Sequence, residues 1–181
     1  GFNMRNNYYH KPIASLNWEL KLNNKTSLSA TAYASLGRGG GSGDLGRNGS
    51  FGFFSSSRWR NADNGYVLWD EVVKHNSGQS ANWRYGSTSM GVDATTGQYI
   101  VNDESFSSRS QYPRRNGWIQ RNSVNSHNWF GAIANLKTEL AENLTLDVGF
   151  DSRFYKGLHY RNVRDLLGSD GYRDARYNGA P

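Results

Sequence analysis

Four histidines, two pairs of neighbouring carboxylates and one glycine-rich string are the residues of this 181-residue sequence whose types could do chemistry. A helical metal site needs two histidines four positions apart on one face, whereas His10, His75, His127 and His159 are far more widely separated. They read as interfacial or hydrogen-bonded side chains, His10 and His159 near the outer ends of strands, and no metal is expected. Asp70-Glu71 and Asp103-Glu104 could do acid/base work only if folding set two carboxyls across a substrate; as sequence neighbours they read as solvated charges. Gly41-Ser42-Gly43-Asp44-Leu45-Gly46 fits the string G-x-G-x-x-G, but no helix follows to receive a dinucleotide's phosphates, so a flexible loop is expected there. No serine sits in a G-x-S-x-G elbow. With no cysteine there is no disulfide, thiolate zinc site or cysteine nucleophile. An enzyme is therefore not expected, nor a cofactor.

The aromatic residues carry more information. Six Trp, eleven Tyr and eight Phe make up 14% of the chain, too many for a disordered polar polymer, although mean hydropathy is only -0.79. Trp59, Tyr66, Trp69, Trp83 and Tyr85 lie in one long stretch with Arg58, Arg60 and Arg84. Flat rings beside polar donors stack on a glycan or clasp a chelate, so Trp59, Tyr66, Trp69, Trp83, Arg84 and Tyr85 are the candidate ligand contacts. The competing expectation is that these rings pack the stretch against itself, because so long a connection needs a small core of its own. The net charge of +6 and pI near 9.6 come from scattered Lys and Arg with no basic helix, so nucleic acid is not an expected partner.

The elements that must position these residues follow a period of two. From Pro12 to Leu22, Ala14, Leu16, Trp18, Leu20 and Leu22 alternate with Ser15, Asn17, Glu19 and Lys21, the pattern of a strand with one apolar face. After Asn23-Asn24-Lys25 the alternation resumes with Leu28, Ala30, Ala32, Ala34 and Leu36, which predicts a hairpin. A second hairpin is predicted from Phe130, Ala132, Ala134, Leu136 and Leu140, through Ala141-Glu142-Asn143, to Leu144, Leu146, Val148, Phe150 and Phe154. Glu19, Lys137, Glu139, Asp147, Asp151 and Arg153 occupy the opposite face. The expected class is all-β, with strands at about 8–22, 26–38, 127–140 and 144–161 and a loop at about 39–126. That loop should hold a short helix over Tyr66–Lys74, a small hairpin tip at Thr95–Tyr99, and flexible punctuation at Gly37–Gly43 and Pro113–Gly117.

Short turns on one side and a long loop on the other are the asymmetry of antiparallel transmembrane β-barrels, whose strands show lipid an apolar face and water a polar one. A soluble β-sandwich would use the same alternation to bury one face against a second sheet. It would make the chain a secreted carbohydrate-binding module.

Asn6-Asn7-Tyr8-Tyr9-His10-Lys11-Pro12 with the first hairpin and Ser35-Leu36-Gly37-Arg38-Gly39-Gly40-Gly41 resembles the barrel region of Bacteroidetes-type TonB-dependent outer-membrane receptors. Arg121 to Gly131, the strand start Asn143-Leu144-Thr145, and Asp151 to Arg161 resemble that family's following strands. The resemblance implies a Gram-negative outer-membrane location and energy-coupled uptake of an iron chelate, cobalamin or oligosaccharide. It also implies a barrel of about 22 strands closed by a plug. Glu19, Lys137, Glu139, Asp147, Asp151 and Arg153 would then face the lumen and plug. The implied partners are outer-membrane lipid, the plug domain of the same full-length chain, the TonB complex and a surface lipoprotein. Only four long strands are visible and no plug-like segment, so the chain is expected to be a fragment of the barrel with one extracellular loop.

Overall fold

The computed structural model describes residues 3, 5–53, 56–103 and 111–174, and among these the fold is mostly antiparallel β. Two compact units emerge: a sheet unit of Asn7–Gly41 with Ser123–Tyr160, and a loop unit of Gly1–Asn6, Ser42–Asn122 and Arg161–Pro181.

The sheet unit is built on strands β1 (Asn7–His10), β2 (Ile13–Lys21), β3 (Thr26–Gly46), β7 (Trp118–Ala141) and β8 (Leu144–Asp165). In the sheet, β3 lies between the β1–β2 edge and β7, and β8 is the far edge. β1 and β2 keep a single register against β3, from Asn7 opposite Gly41 to Lys21 opposite Ser27. They are one strand nicked at Lys11-Pro12, since proline has no N–H for the ladder and is confined to edges. The turn is closed by Leu22 N to Thr26 O at 3.0 Å and by the Asn23 side chain accepting from Lys25 N at 2.8 Å, a local turn that asparagine forms readily.

Directly opposed residues of antiparallel strands share a face. Ala14, Leu16, Trp18 and Leu20 therefore stand beside Ala34, Ala32, Ala30 and Leu28, as the period of two predicts. The contacts of Thr26 with Thr138, Tyr33 with Gly131 and Gly37 with His127 make β7 antiparallel to β3 and carry the parity across. The Phe130 and Phe154 rings, 6.5 Å apart, carry it on to β8. Even-numbered positions thus share one face, which is mostly apolar over Ala14–Leu20, Leu28–Leu36, Phe130–Leu140 and Leu144–Phe154. That face is open: Leu16, Leu20, Leu146, Val148, Phe150 and Phe154 are all exposed. Within this unit the described residues form one sheet and no closed barrel.

The long strands run further than the alternation alone indicates. β3 continues to Gly46 and β7 begins at Trp118, so the glycine-rich string expected as a flexible loop is strand. Its missing side chains make room for neighbours: a Cβ on Gly40 would lie 2.8 Å from Ser123 O, and one on Gly43 3.0 Å from the Arg121 guanidinium.

In the loop unit, helix α1 (Trp69–Asn76) begins three residues later than predicted. A 3-10 turn (Ser57–Trp59), short hairpin β4–β5 (Ala81–Trp83, Gly86–Thr88) and parallel pair β6–β9 (Ile100–Asn102, Gly171–Arg173) complete its regular structure among the described residues. Thr95–Tyr99 is a turn capped by Asp93, whose Oδ1 accepts from Thr95 N and Thr96 N, and the loop's hairpin is β4–β5. Phe53, Trp59, Val72, Ala81, Trp83, Trp118 and Leu167 form the core, with Trp59 against Trp118 at 4.3 Å and against Trp83 at 4.7 Å. Such edge-on aromatic pairs add about 0.5–1.5 kcal/mol beyond their burial.

Asn76, fully buried, ties the unit together. Its Nδ2 donates to Trp118 O at 2.7 Å and to Leu167 O at 2.9 Å, and its Oδ1 accepts from Trp118 N at 3.4 Å. Leu167 sits at φ 50, a conformation rare outside glycine and asparagine, which this bond helps to hold. The segment expected as flexible punctuation before Trp118 is closely packed here: a Cβ on Gly117 would meet Asn76 Oδ1 at 2.3 Å and Met90 Sδ at 2.9 Å. Asn76→Ala leaves buried backbone groups unpaired, and each costs about 1–3 kcal/mol. Urea unfolding followed by tryptophan fluorescence is expected to show a loss of at least about 2 kcal/mol, with strand content by circular dichroism retained.

Candidate functional site on the polar face

The odd-numbered face of the sheet unit is polar at one end and aromatic at the other. Glu19, Lys137, Glu139, Asp147, Asp151 and Arg153 are all exposed there. Asn135 donates to Asp147, and Arg153 grips Asp151 with Nη2 to Oδ2 at 2.6 Å and Nε to Oδ1 at 3.0 Å. Thr31 donates to Asn17 across β2 and β3 at 2.7 Å. The hydrogen-bonded Arg153 beside Asp151 holds that exposed pair in one geometry, although an exposed pair contributes little to stability.

Toward the other end, rings lie flat over glycines on the facing strand. A Cβ at Gly131 would fall 2.3 Å from Tyr33 Cζ, one at Gly37 2.2 Å from His127 Cε1, and one at Gly39 2.2 Å from Tyr9 Cδ2. Glycine in a strand gives up side-chain packing, and here each neighbouring ring fills the gap. The result is a shallow concavity of about 380 Å³ lined by Tyr9, Lys11, Asn125, Ser126, His127, Trp129, Tyr155 and His159. His127 is 9% exposed, stacks on Tyr155 with centroids 5.9 Å apart and has Nε2 3.4 Å from Ser35 Oγ. Trp129 packs edge-on to Tyr33 at 5.5 Å, and Lys11 Nζ stands 5.7 Å over its ring. His159 Nδ1 pairs with Asn125 Oδ1 at 2.9 Å. Gly157 leaves bare backbone under two polar tips: a Cβ there would lie 3.0 Å from His159 Nε2 and 3.1 Å from the Tyr155 hydroxyl. Alternation puts the odd-numbered residues of this lining on one face, but only the cross-strand register shows that they meet.

The loop residues predicted to touch ligand divide by burial. Trp59 is 1% exposed and Trp83 6%, and both serve the core; Trp69 is half-buried against it. This is the self-packing weighed as the competing expectation. Tyr66 and Tyr85 are 73% and 61% exposed, and Arg84, also exposed, lies 5.5 Å from the Tyr85 ring.

The carboxylates expected to be solvated are partly engaged. Asp70 is exposed. Glu71 bonds Lys74 Nζ at 2.6 Å and Asn82 N at 2.6 Å, so it fastens α1 to β4, and the Lys74 bond holds its carboxyl below the usual range. Asp103 accepts from the hydroxyls of Tyr112 at 2.7 Å and Tyr172 at 3.0 Å, while Glu104 lies outside the described residues. Among the described residues no group of three His, Asp or Glu is placed to hold a metal.

His75 is fully buried. Its Nε2 is 2.9 Å from Asn116 O, a carbonyl that can only accept, so Nε2 carries the proton. Its Nδ1, 3.1 Å from Thr88 Oγ1, accepts, while Thr88 in turn accepts from Trp83 Nε1 at 2.6 Å. That chain of bonds fits a neutral imidazole, and desolvation lowers its pKa.

No family model matches this chain, and neither the curated proteins nor the solved structures contain a match.

Because burial disfavours the protonated form of His75, the unfolded chain binds a proton that the fold refuses. Stability is therefore fully present above the unfolded pKa near 6.5 and falls as pH drops below it. Glu71 and Asp93, held low by the Lys74 hydrogen bond and by Thr96 N–H respectively, add a second decline that begins below about pH 4.5. Fluorescence-monitored urea midpoints measured from pH 8 to pH 4 are expected to show both steps in the wild type. His75→Gln should remove the upper step and keep the lower.

Proposed function

We propose that this chain is part of the wall, with one outer loop, of a Bacteroidetes-type TonB-dependent outer-membrane receptor. On this reading it serves energy-coupled uptake of a scarce nutrient such as an iron chelate, cobalamin or oligosaccharide. The observation that carries the reading is the open apolar face of a single sheet whose opposite face is charged. In water, an exposed patch of this kind marks an interaction surface. Hydrocarbon is the occupant that suits a face formed by alternate residues of several long antiparallel strands.

The dimensions fit. The apolar rows from Phe130 to Leu140 and from Leu144 to Phe154 each span eleven residues, interrupted only by Thr138 and Ser152. A tilted strand needs about 9–11 residues to cross the hydrocarbon layer. β7 and β8, of 24 and 22 residues, have length to spare. No helix among the described residues is long and apolar enough to cross a membrane, a criterion that does not bear on strands.

The sheet's open edges are consistent with a wall that continues into further strands of a longer chain. Glu19, Lys137, Glu139, Asp147, Asp151 and Arg153 then face an aqueous lumen and its plug, and the movement of that plug is driven through the TonB complex. Outer-membrane lipid covers the other face, and a surface lipoprotein fits the outer side. The chain itself carries out no catalysis on this reading. A secreted sandwich would need a second sheet over the even-numbered row, and the sheet unit has one sheet among its described residues.

Trp18 and Trp129 stand on opposite faces of the sheet, which makes the reading testable residue by residue. The chain is refolded into vesicles of brominated and unbrominated phosphatidylcholine. Trp18→Phe is expected to abolish most of the bromine quenching and Trp129→Phe to leave it unchanged. Equal loss in both variants, or quenching in neither, overturns the lipid-facing assignment. Leu146→Arg is expected to lower vesicle folding by about 2–4 kcal/mol, the cost of a cation near the bilayer midplane, whereas Asp147→Asn should change it little.

A further inference from the structure

We propose that the concavity over Gly37 and Gly157 is a seat for a small carboxylate-bearing molecule with one flat apolar face. The inference rests on the reading of the odd-numbered face as the wet one, and names what that face recognises.

Charge selects the ligand's sign. Lys11 contributes the cation, His127 and His159 contribute imidazole nitrogens, and no aspartate or glutamate lines the concavity. Among the described residues no carboxylate is within ion-pair distance of any of the three, since the acids on this face that are engaged pair elsewhere, Asp151 with Arg153 and Asp147 with Asn135. Lys11 Nζ instead stands over the Trp129 ring, where a cation is held loosely enough to swing to a better partner. A carboxylate oxygen is that partner, because charge-assisted bonds are roughly twice as strong as neutral ones.

Shape selects the rest. Trp129 and the exposed Tyr155, which stacks on the buried His127, offer ring surface. Gly37 keeps the His127 ring low against the sheet, and the Tyr155 hydroxyl and His159 Nε2 converge over Gly157 as directional polar tips. A pyranose uronate and an aromatic carboxylate share the needed chemistry, one charged group on a ring with an apolar face. Galactose has the same sugar ring without the charge.

The test uses the 181-residue chain in detergent micelles, with Trp129 emission as the readout and galacturonate, benzoate and galactose as probes. Galacturonate or benzoate is expected to perturb the emission saturably, and the tighter of the two assigns the source as sugar acid or aryl acid. Galactose is expected to bind at least about tenfold more weakly, as loss of a bond to a charged group implies. Lys11→Met should weaken the carboxylate by a similar factor and leave galactose unchanged, with Lys11→Arg restoring most of the loss. Equal binding of galactose and galacturonate, no response to any probe, or Lys11→Met without effect overturns the seat. Failure of the receptor reading shows separately, as absent bromolipid quenching of Trp18 in the brominated vesicles.

Discussion

Everything in the sheet unit depends on a shared parity: the register keeps even-numbered residues of every long strand on one side. Side chains alternate across a strand, so a slip of one residue would turn Leu16, Trp18 and Leu20 to the polar side and Glu19 and Lys21 to the apolar one. Two tight turns set this parity, and cross-strand contacts such as Thr26 with Thr138 propagate it. The polar concavity is a product of the same parity. His127 reaches Gly37, and Tyr33 reaches Gly131, only because each ring and its glycine are directly opposed.

The loop unit is stabilised differently. Its core is a knot of tryptophans against a helix face of Val72, His75 and Asn76, and two of those three helix residues are polar and hydrogen-bonded. Asn76 binds two carbonyls and an N–H, and His75 spans Asn116 and Thr88. Buried polar groups left unpaired are costly, whereas satisfied networks specify one arrangement. Long-range polar ties of this kind hold the described residues of the long connection between Gly46 and Trp118 together with little regular structure.

Much of the sheet was legible in the sequence because period-two alternation is a local signal. Both turns and the face assignment of Leu16, Phe130 and Phe150 could be read from neighbours alone. The strand ends could not. Gly39 to Gly46 has loop composition, and it becomes strand because Tyr8, Tyr9 and Arg121 lie over backbone that side chains would obstruct. The loop tryptophans were ambiguous for a related reason: a ring that stacks on a ligand and a ring that stacks on another ring look alike in sequence. Trp118, far along the chain, decides that Trp59 is core. Tyr66 and Tyr85 have no such ring partner among the described residues and stay exposed. The concavity brings together residues 9, 11, 127, 155 and 159, whose proximity no local pattern records.

The pairing of rings with glycines has an evolutionary consequence. Any side chain at Gly131 must displace the Tyr33 ring, and shortening Tyr33 uncovers backbone at Gly131, so neither position can drift alone. The same holds for Gly37 with His127 and for Gly39 with Tyr9. Among descendants of this chain these sites should therefore substitute in couples, leaving linked mutational histories that trace the cross-strand neighbours of the odd-numbered face.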